Sequence, residues 1–256
     1  MAEERQTNYT IAESYELPSK GQIYDVEVNP MIELRSMTAR DEMKRLSPSA
    51  TPFKTLADII EGCMLEKPAV HVYDMAVGDY EYLLHKLRII SYGENYKIAV
   101  ICPHCGEEVE TTAKLNSLTL KEFDKDEFEK LRTFELPVSK KTITLKFQTP
   151  HILDIVENKA KEFKRKFKSA EINFELLSLL LTIIDTVDSE KLSDAALESF
   201  VNNLPVKDMT KIVNAYDRLN QSLGLDNTLT IQCPKCGEDI LTFFRFGPEF
   251  FRPTDI

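Results

Sequence analysis

Lys97–Thr112, KIAVICPHCGEEVETT, and Thr228–Phe243, TLTIQCPKCGEDILTF, are two versions of one phrase. In each, an alternating apolar/polar run leads into CPxCG and a second alternating run leads out, the period of a strand with one face buried. Each therefore reads as a β-hairpin carrying a Cys-x-x-Cys knuckle at its tip. Gly106 and Gly237 follow the pairs, where a knuckle turn needs positive φ. Pro103 and Pro234 pre-set φ inside the turn and stiffen it.

Two residues between cysteines let both sulfurs reach one ion, and two such pairs complete a tetrahedron of soft ligands. Cys102, Cys105, Cys233 and Cys236 thus read as the four thiolate ligands of one structural Zn2+, the hairpins being the halves of a zinc ribbon. A redox reading fits poorly, because a thioredoxin-like CxxC opens a helix in a βαβ unit. Unpaired core cysteines are the remaining alternative. Catalytic zinc is disfavoured, since four thiolates leave no position open for water. His104, inside the first knuckle, reads as exposed, and Cys63, in the apolar phrase DIIEGCML, as a small buried residue. Residues 106–232 lie between the pairs, far more chain than a compact finger contains, so a separate segment interrupts the ribbon.

The chain has 256 residues, 43% hydrophobic and 29% charged, which is material for a real core and excludes small disulfide scaffolds and wholesale disorder. No run is long and apolar enough to span a membrane, and MAEERQTNYT is not a signal peptide, so a reducing cytoplasm is the expected place of synthesis. A net charge of −10 argues against general duplex binding, which calls for a clustered positive excess. Eight glycines give little material for phosphate-cradling loops, and no nucleotide fingerprint, HExxH or nucleophile–base set occurs. Asp41-Glu42 and Asp124/Asp126 read as cap and surface residues. No enzyme is expected.

The expected fold is α+β, with four parts. Residues 1–36 read as an N-terminal arm and then strands around a turn at Asn29-Pro30, with LPSKG as a turn signal. Residues 37–118 together with 225–256 carry helices, the ribbon and a C-terminal tail. Thr38 and Asp41 form a capping box opening TARDEMKRL. LADIIEGCML and DYEYLLHKLRIISYG are two further helices, the latter stopped by Gly93, with His85 structural or on the surface. Residues 119–149 are a linker and a strand pair around Ser139–Lys141. Residues 150–224 read as a helical insert, with the apolar helix at Leu176–Ile184 as the centre of a bundle.

Two features could carry interactions. Lys159, Lys161, Lys164, Arg165, Lys166 and Lys168 crowd one helix, a solvated face first and a contact for an acidic partner or nucleic acid second. In RFGPEFFRPTDI, Phe246, Phe250 and Phe251 sit among prolines; such terminal aromatics either fold back on the core or anchor a neighbouring subunit.

The order LPSKGQIY (17–24), IELRSMTARDEMKRL (32–46) and LHKLRIISYGENYKIAVICPHCGEEVE (84–110), with CPKCG near the end, resembles the baseplate hub proteins of T-even and related contractile-tailed phages. The likeness runs in order over roughly residues 16–148; the helical segment and the tail do not share it. It implies a non-enzymatic virion component made in the host cytoplasm, with other tail and baseplate proteins as partners in a symmetric assembly. It also implies a partner contact at Leu17, Pro18, Ser19, Lys20 and Gly21, and the metal site at the four cysteines. A zinc-ribbon nucleic-acid-binding regulator, or an assembly chaperone absent from the finished particle, are the alternatives.

Overall fold

Pairing in the N-terminal segment starts with the stretch before LPSKG. In the structure, a computed structural model that describes residues 11–167, 172–244 and 248–251, β1 (Ala12–Glu16) runs antiparallel to β2 (Met31–Arg35). This corrects two expectations: residues 12–16 are a strand rather than part of a loose arm, and Val26–Val28 is not β2's partner. The Leu17 amide donates to the Pro30 carbonyl at 2.8 Å and closes the loop between the strands. Gly21 has φ +71°, and a Cβ there would lie 2.4 Å from the Val28 carbonyl oxygen, so the loop folds tightly only with glycine.

Helix α1 (Ala39–Leu46) opens on the expected capping box between Thr38 and Asp41. Proline at the first position of α2 (Pro52–Cys63) loses only an amide that no helical carbonyl would accept. A short 3-10 turn (Val72–Asp74) precedes α3 (Val77–Tyr92), which ends at Gly93 with φ +87°. Buried Leu34, Leu56, Ile60, Leu83 and Leu87 make this the first core, and Leu225, Phe244, Phe250 and Phe251 join it from the far end of the chain.

Hairpin β3 (Asn95–Ile101) and β4 (Glu108–Lys114) stands on that core. Beyond it, α4 (Lys125–Arg132), β5 (Thr133–Glu135), β6 (Thr142–Leu145), α5 (Pro150–Lys166), α6 (Phe174–Ile183), β7 (Ile184–Val187), α7 (Asp194–Asn202) and α8 (Val206–Gln221) enclose a second core. β7 lies in a stretch expected to be helical. The β-branched Ile-Asp-Thr-Val run fits a pleated surface, and β6 supplies the partner, giving a three-stranded antiparallel sheet in the order β5-β6-β7. α6 is not the centre of a bundle: Phe174, Leu180 and Ile183 are buried, while Leu176, Leu177, Leu179 and Leu181 are only half-buried. Hairpin β8 (Thr228–Gln232) and β9 (Asp239–Phe243) returns beside β3–β4.

The two cores meet at close backbone approaches and buried polar bonds. A Cβ on Gly78 would fall 2.7 Å from the Leu223 carbonyl oxygen, and one on Gly224 would fall 2.8 Å from the Gly78 Cα. The Tyr73 hydroxyl donates to Asp154 at 2.5 Å, and the Val77 amide donates to the Gln148 carbonyl at 2.8 Å.

Candidate metal centre

Both knuckles repeat one backbone pattern. The Cys102 amide donates to the Glu107 carbonyl at 2.8 Å and the Gly106 amide to the Cys102 carbonyl at 2.9 Å. In the second, Cys233 donates to Glu238 and Gly237 to Cys233, both at 2.9 Å. Gly106 and Gly237 have φ of +73° and +78°, the left-handed conformation that turns each chain back so that two sulfurs face one point.

The fold then brings the two tips together. All four sulfurs lie within 4.8 Å of one another. The pairs Cys102–Cys236 and Cys105–Cys233 are each 3.7 Å apart, and each takes one sulfur from each hairpin. A tetrahedral site with bonds of about 2.3 Å holds its sulfurs about 3.8 Å apart, so the donors are spaced for one ion. Cys102 and Cys233 are buried, Cys105 is half-buried and Cys236 is exposed at the rim. Among the described residues no other group of His, Cys, Asp or Glu is gathered in this way. His104 is exposed and outside the cluster.

The electrostatics also call for a cation. The backbone amide of Cys236, and then that of Lys235, draw the Cys233 thiol down to about 6. The Glu238 amide lowers Cys236, but desolvation and the sulfurs of Cys233, Cys105 and Cys102 outweigh it and push that thiol up to about 12. Crowded sulfurs thus favour a thiolate at Cys233 and resist one at Cys105 and Cys236, and a bound dication would reverse that balance by compensating the negative charge.

Little else holds the tips together. The hairpins are separate two-stranded sheets, and the core between them consists of Cys102, Val109, Cys233 and Ile240, with Val100, Cys105 and Ile231 half-buried around it. Two of the four buried members are themselves donors. The Lys235–Glu107 ion pair also crosses between the hairpins, but both side chains are exposed and such pairs contribute little.

The remaining sequence-selected residues are occupied by the chain itself. Leu17, Pro18 and Ser19 are buried, Gly21 is half-buried and only Lys20 is exposed. The same stretch forms an internal latch. Asp79, in the first turn of α3, accepts the Ser19 amide at 2.9 Å, the Ser19 hydroxyl at 2.5 Å and the Tyr24 hydroxyl at 2.6 Å. Burial raises the Asp79 carboxyl above the usual range, although these bonds pull it down. Nothing in the sequence pairs Ser19 with an acid sixty positions away, and an acid opening a helix ordinarily faces solvent. Phe250 and Phe251 fold back on the first core, so their rings are not free for a neighbouring subunit; Phe246 lies outside the described residues.

On α5, Lys161 pairs with Glu157 and Lys164 with Glu175, while Phe163 stacks on Phe174 of α6. The Lys164–Glu175 pair and the Phe163–Phe174 stack serve the packing of α5 on α6, and the Lys161–Glu157 pair lies along the face of α5 itself. Lys168 lies outside the described residues. Cys63 is buried with its thiol pushed up to about 12, chiefly by desolvation. His85 is buried with Nε2 2.9 Å from the Leu115 carbonyl, a structural histidine. No described helix is long and apolar enough to cross a membrane.

No curated protein and no solved structure matches the chain. A family model described as T4 bacteriophage base plate protein matches residues 9–252, a span that includes both hairpins, both cores and the latch. The chain therefore belongs to the T4 bacteriophage base plate protein family.

Proposed function

We propose that this protein is a non-enzymatic structural subunit of the baseplate hub of a contractile phage tail, stapled by one Zn2+ held by Cys102, Cys105, Cys233 and Cys236. The family match over residues 9–252 supports the baseplate role. The single observation that carries the metal is the four-sulfur cluster closed by two hairpins whose tips share only a small apolar core. Zinc suits the donor set, because four soft thiolates in a tetrahedron are its structural preference. The ion ties the C-terminal hairpin to the first half of the chain, so the protein holds its shape without disulfides. Its partners are other tail and baseplate proteins, and its location is the virion.

Two measurements test this reading. Metal analysis of the purified chain is expected to give one zinc per chain, falling to none in the Cys233→Ser/Cys236→Ser double variant; retention of one zinc would remove the ligand assignment. Mass spectrometry of purified tails is expected to find the chain at stoichiometric level. Its absence from finished particles would replace the structural role with that of an assembly chaperone, and tight, steeply salt-dependent DNA binding would favour a regulator.

A further inference from the structure

Helix α1 is amphipathic in reverse. At 100° per residue, Ala39, Met43 and Leu46 share one face, and that face points to solvent: Met43 is 63% and Leu46 65% exposed. The polar side is the one fixed to the body. Arg35 of β2 donates to Asp41 at 2.7 Å and the Tyr92 hydroxyl of α3 donates to Glu42 at 2.6 Å, while within the helix Arg45 holds the same Glu42 through two nitrogens at 2.7 and 2.6 Å. Arg45 also lies over the Phe251 ring. With the capping box at its start, α1 is held rigidly while no residue of it is buried. Exposing two large apolar side chains on a helix pinned by an ion pair, a hydrogen bond and a ring contact opposes the hydrophobic effect, so the ridge is preorganised for an occupant. Arg40 and Lys44 flank it on one side and are exposed.

The same chain carries a groove whose rim is mainly acidic. It has a volume of about 440 Å³ and runs between β2 and the loop after α2. Val28 and Ile32 form its apolar floor, and exposed Glu27, Glu33 and Glu66, with the one cation Lys67, its rim. We infer that the α1 ridge of one copy docks in the Glu27/Glu33/Glu66 groove of a second copy, Met43 and Leu46 entering the groove and Arg40 and Lys44 meeting its carboxylates. Ridge and groove are different surfaces, so the contact is head-to-tail, the kind that closes into a ring when the rotation permits. An eight-residue helix falls short of the roughly 800 Å² per partner of a stable complex. A single contact is therefore weak, and closure of the ring supplies the added strength.

The inference does not depend on the tail assignment, which would survive its failure. Sedimentation equilibrium of the full chain, over concentrations spanning about the micromolar range, tests it. The wild type is expected to self-associate, more weakly as salt rises. Met43→Glu/Leu46→Glu and, separately, Glu27→Arg/Glu66→Arg are each expected to weaken association more than tenfold, with unchanged circular dichroism and melting because all four positions are exposed. Mixed one to one, the two variants are expected to give heterodimers that grow no further, since one keeps a groove and the other a ridge; lacking ring closure, these form only at concentrations well above those at which the wild type associates. A monomeric wild type, undiminished association in either variant, or a mixture that stays monomeric even at those higher concentrations would each overturn the inference. Ridge-dependent binding to another tail protein without self-association would overturn it as well.

Discussion

The base and the tip of the paired hairpins are held by different physics. At the base, Tyr96 packs on Phe244 and Phe250, and Leu115 and Leu225 are buried in the first core. At the tip, four buried residues separate the strands from water, and two of those are sulfur donors. The base is stabilised by apolar area, which is spread over many contacts and tolerates the loss of one. On the proposed reading the tip is stabilised by a coordination sphere, which fails all at once. Structural zinc contributes on the order of 10–16 kcal/mol in finger peptides, more than so small an apolar core can supply.

The largest expected effect comes from breaking the tip. Removing the metal by chelation, or substituting Cys233→Ser/Cys236→Ser, should abolish amide protection across 97–112 and 228–243 while α2 and α3 keep theirs. Hydrogen exchange read segment by segment checks this, and equal loss in both regions would mean that the tip and base are one cooperative unit. Next comes the base: Phe250→Ala is expected to cost about 3–5 kcal/mol in urea unfolding and to leave the metal content at wild-type level. Asp79→Ala ranks close behind, because it strands three buried donors from Ser19 and Tyr24. About 3 kcal/mol is expected for that loss, with Asp79→Asn recovering part of it by keeping an acceptor.

A pH series sharpens the contrast within the base. Burial lowers the His85 imidazole to about 4, against a backbone bond to Leu115 that raises it. The unfolded chain then binds the extra proton between about 6.5 and 4, so His85 stabilises the fold at neutral pH and that stability is lost as pH falls through this window. Burial raises Glu81 to about 7, and the sign reverses: the folded chain holds the proton more tightly, so stability falls as pH rises from about 4.5 through 7. The two slopes oppose each other, and unfolding of the base should vary little between those limits. His85→Gln should unmask a decline toward neutral pH and Glu81→Gln a decline toward acid; two flat profiles would show that neither group is coupled to folding. The smallest effect belongs to Lys235→Ala, which removes the exposed pair with Glu107 and should leave both metal content and melting temperature unchanged.

Much of the molecule is legible one stretch at a time. CPHCG and CPKCG specify two knuckles because the chemistry sits within five residues: two cysteines with two residues between them, a stiffening proline, and a glycine for the positive φ that both knuckles adopt. Thr38 and Asp41 specify a helix start because a capping box spans three positions. The α+β class and the four-cysteine set were read in this way.

What only the tertiary structure decided are the pairings over distance. β1 rather than Val26–Val28 lies against β2, β7 completes a sheet within a stretch of helical pattern, Asp79 reaches back to Ser19, and Phe250 and Phe251 fold inward. In each case several partners of equal chemistry were open, and local sequence does not rank them. The choice falls to whichever arrangement buries the most apolar surface while matching most buried polar groups, a sum taken over the whole chain.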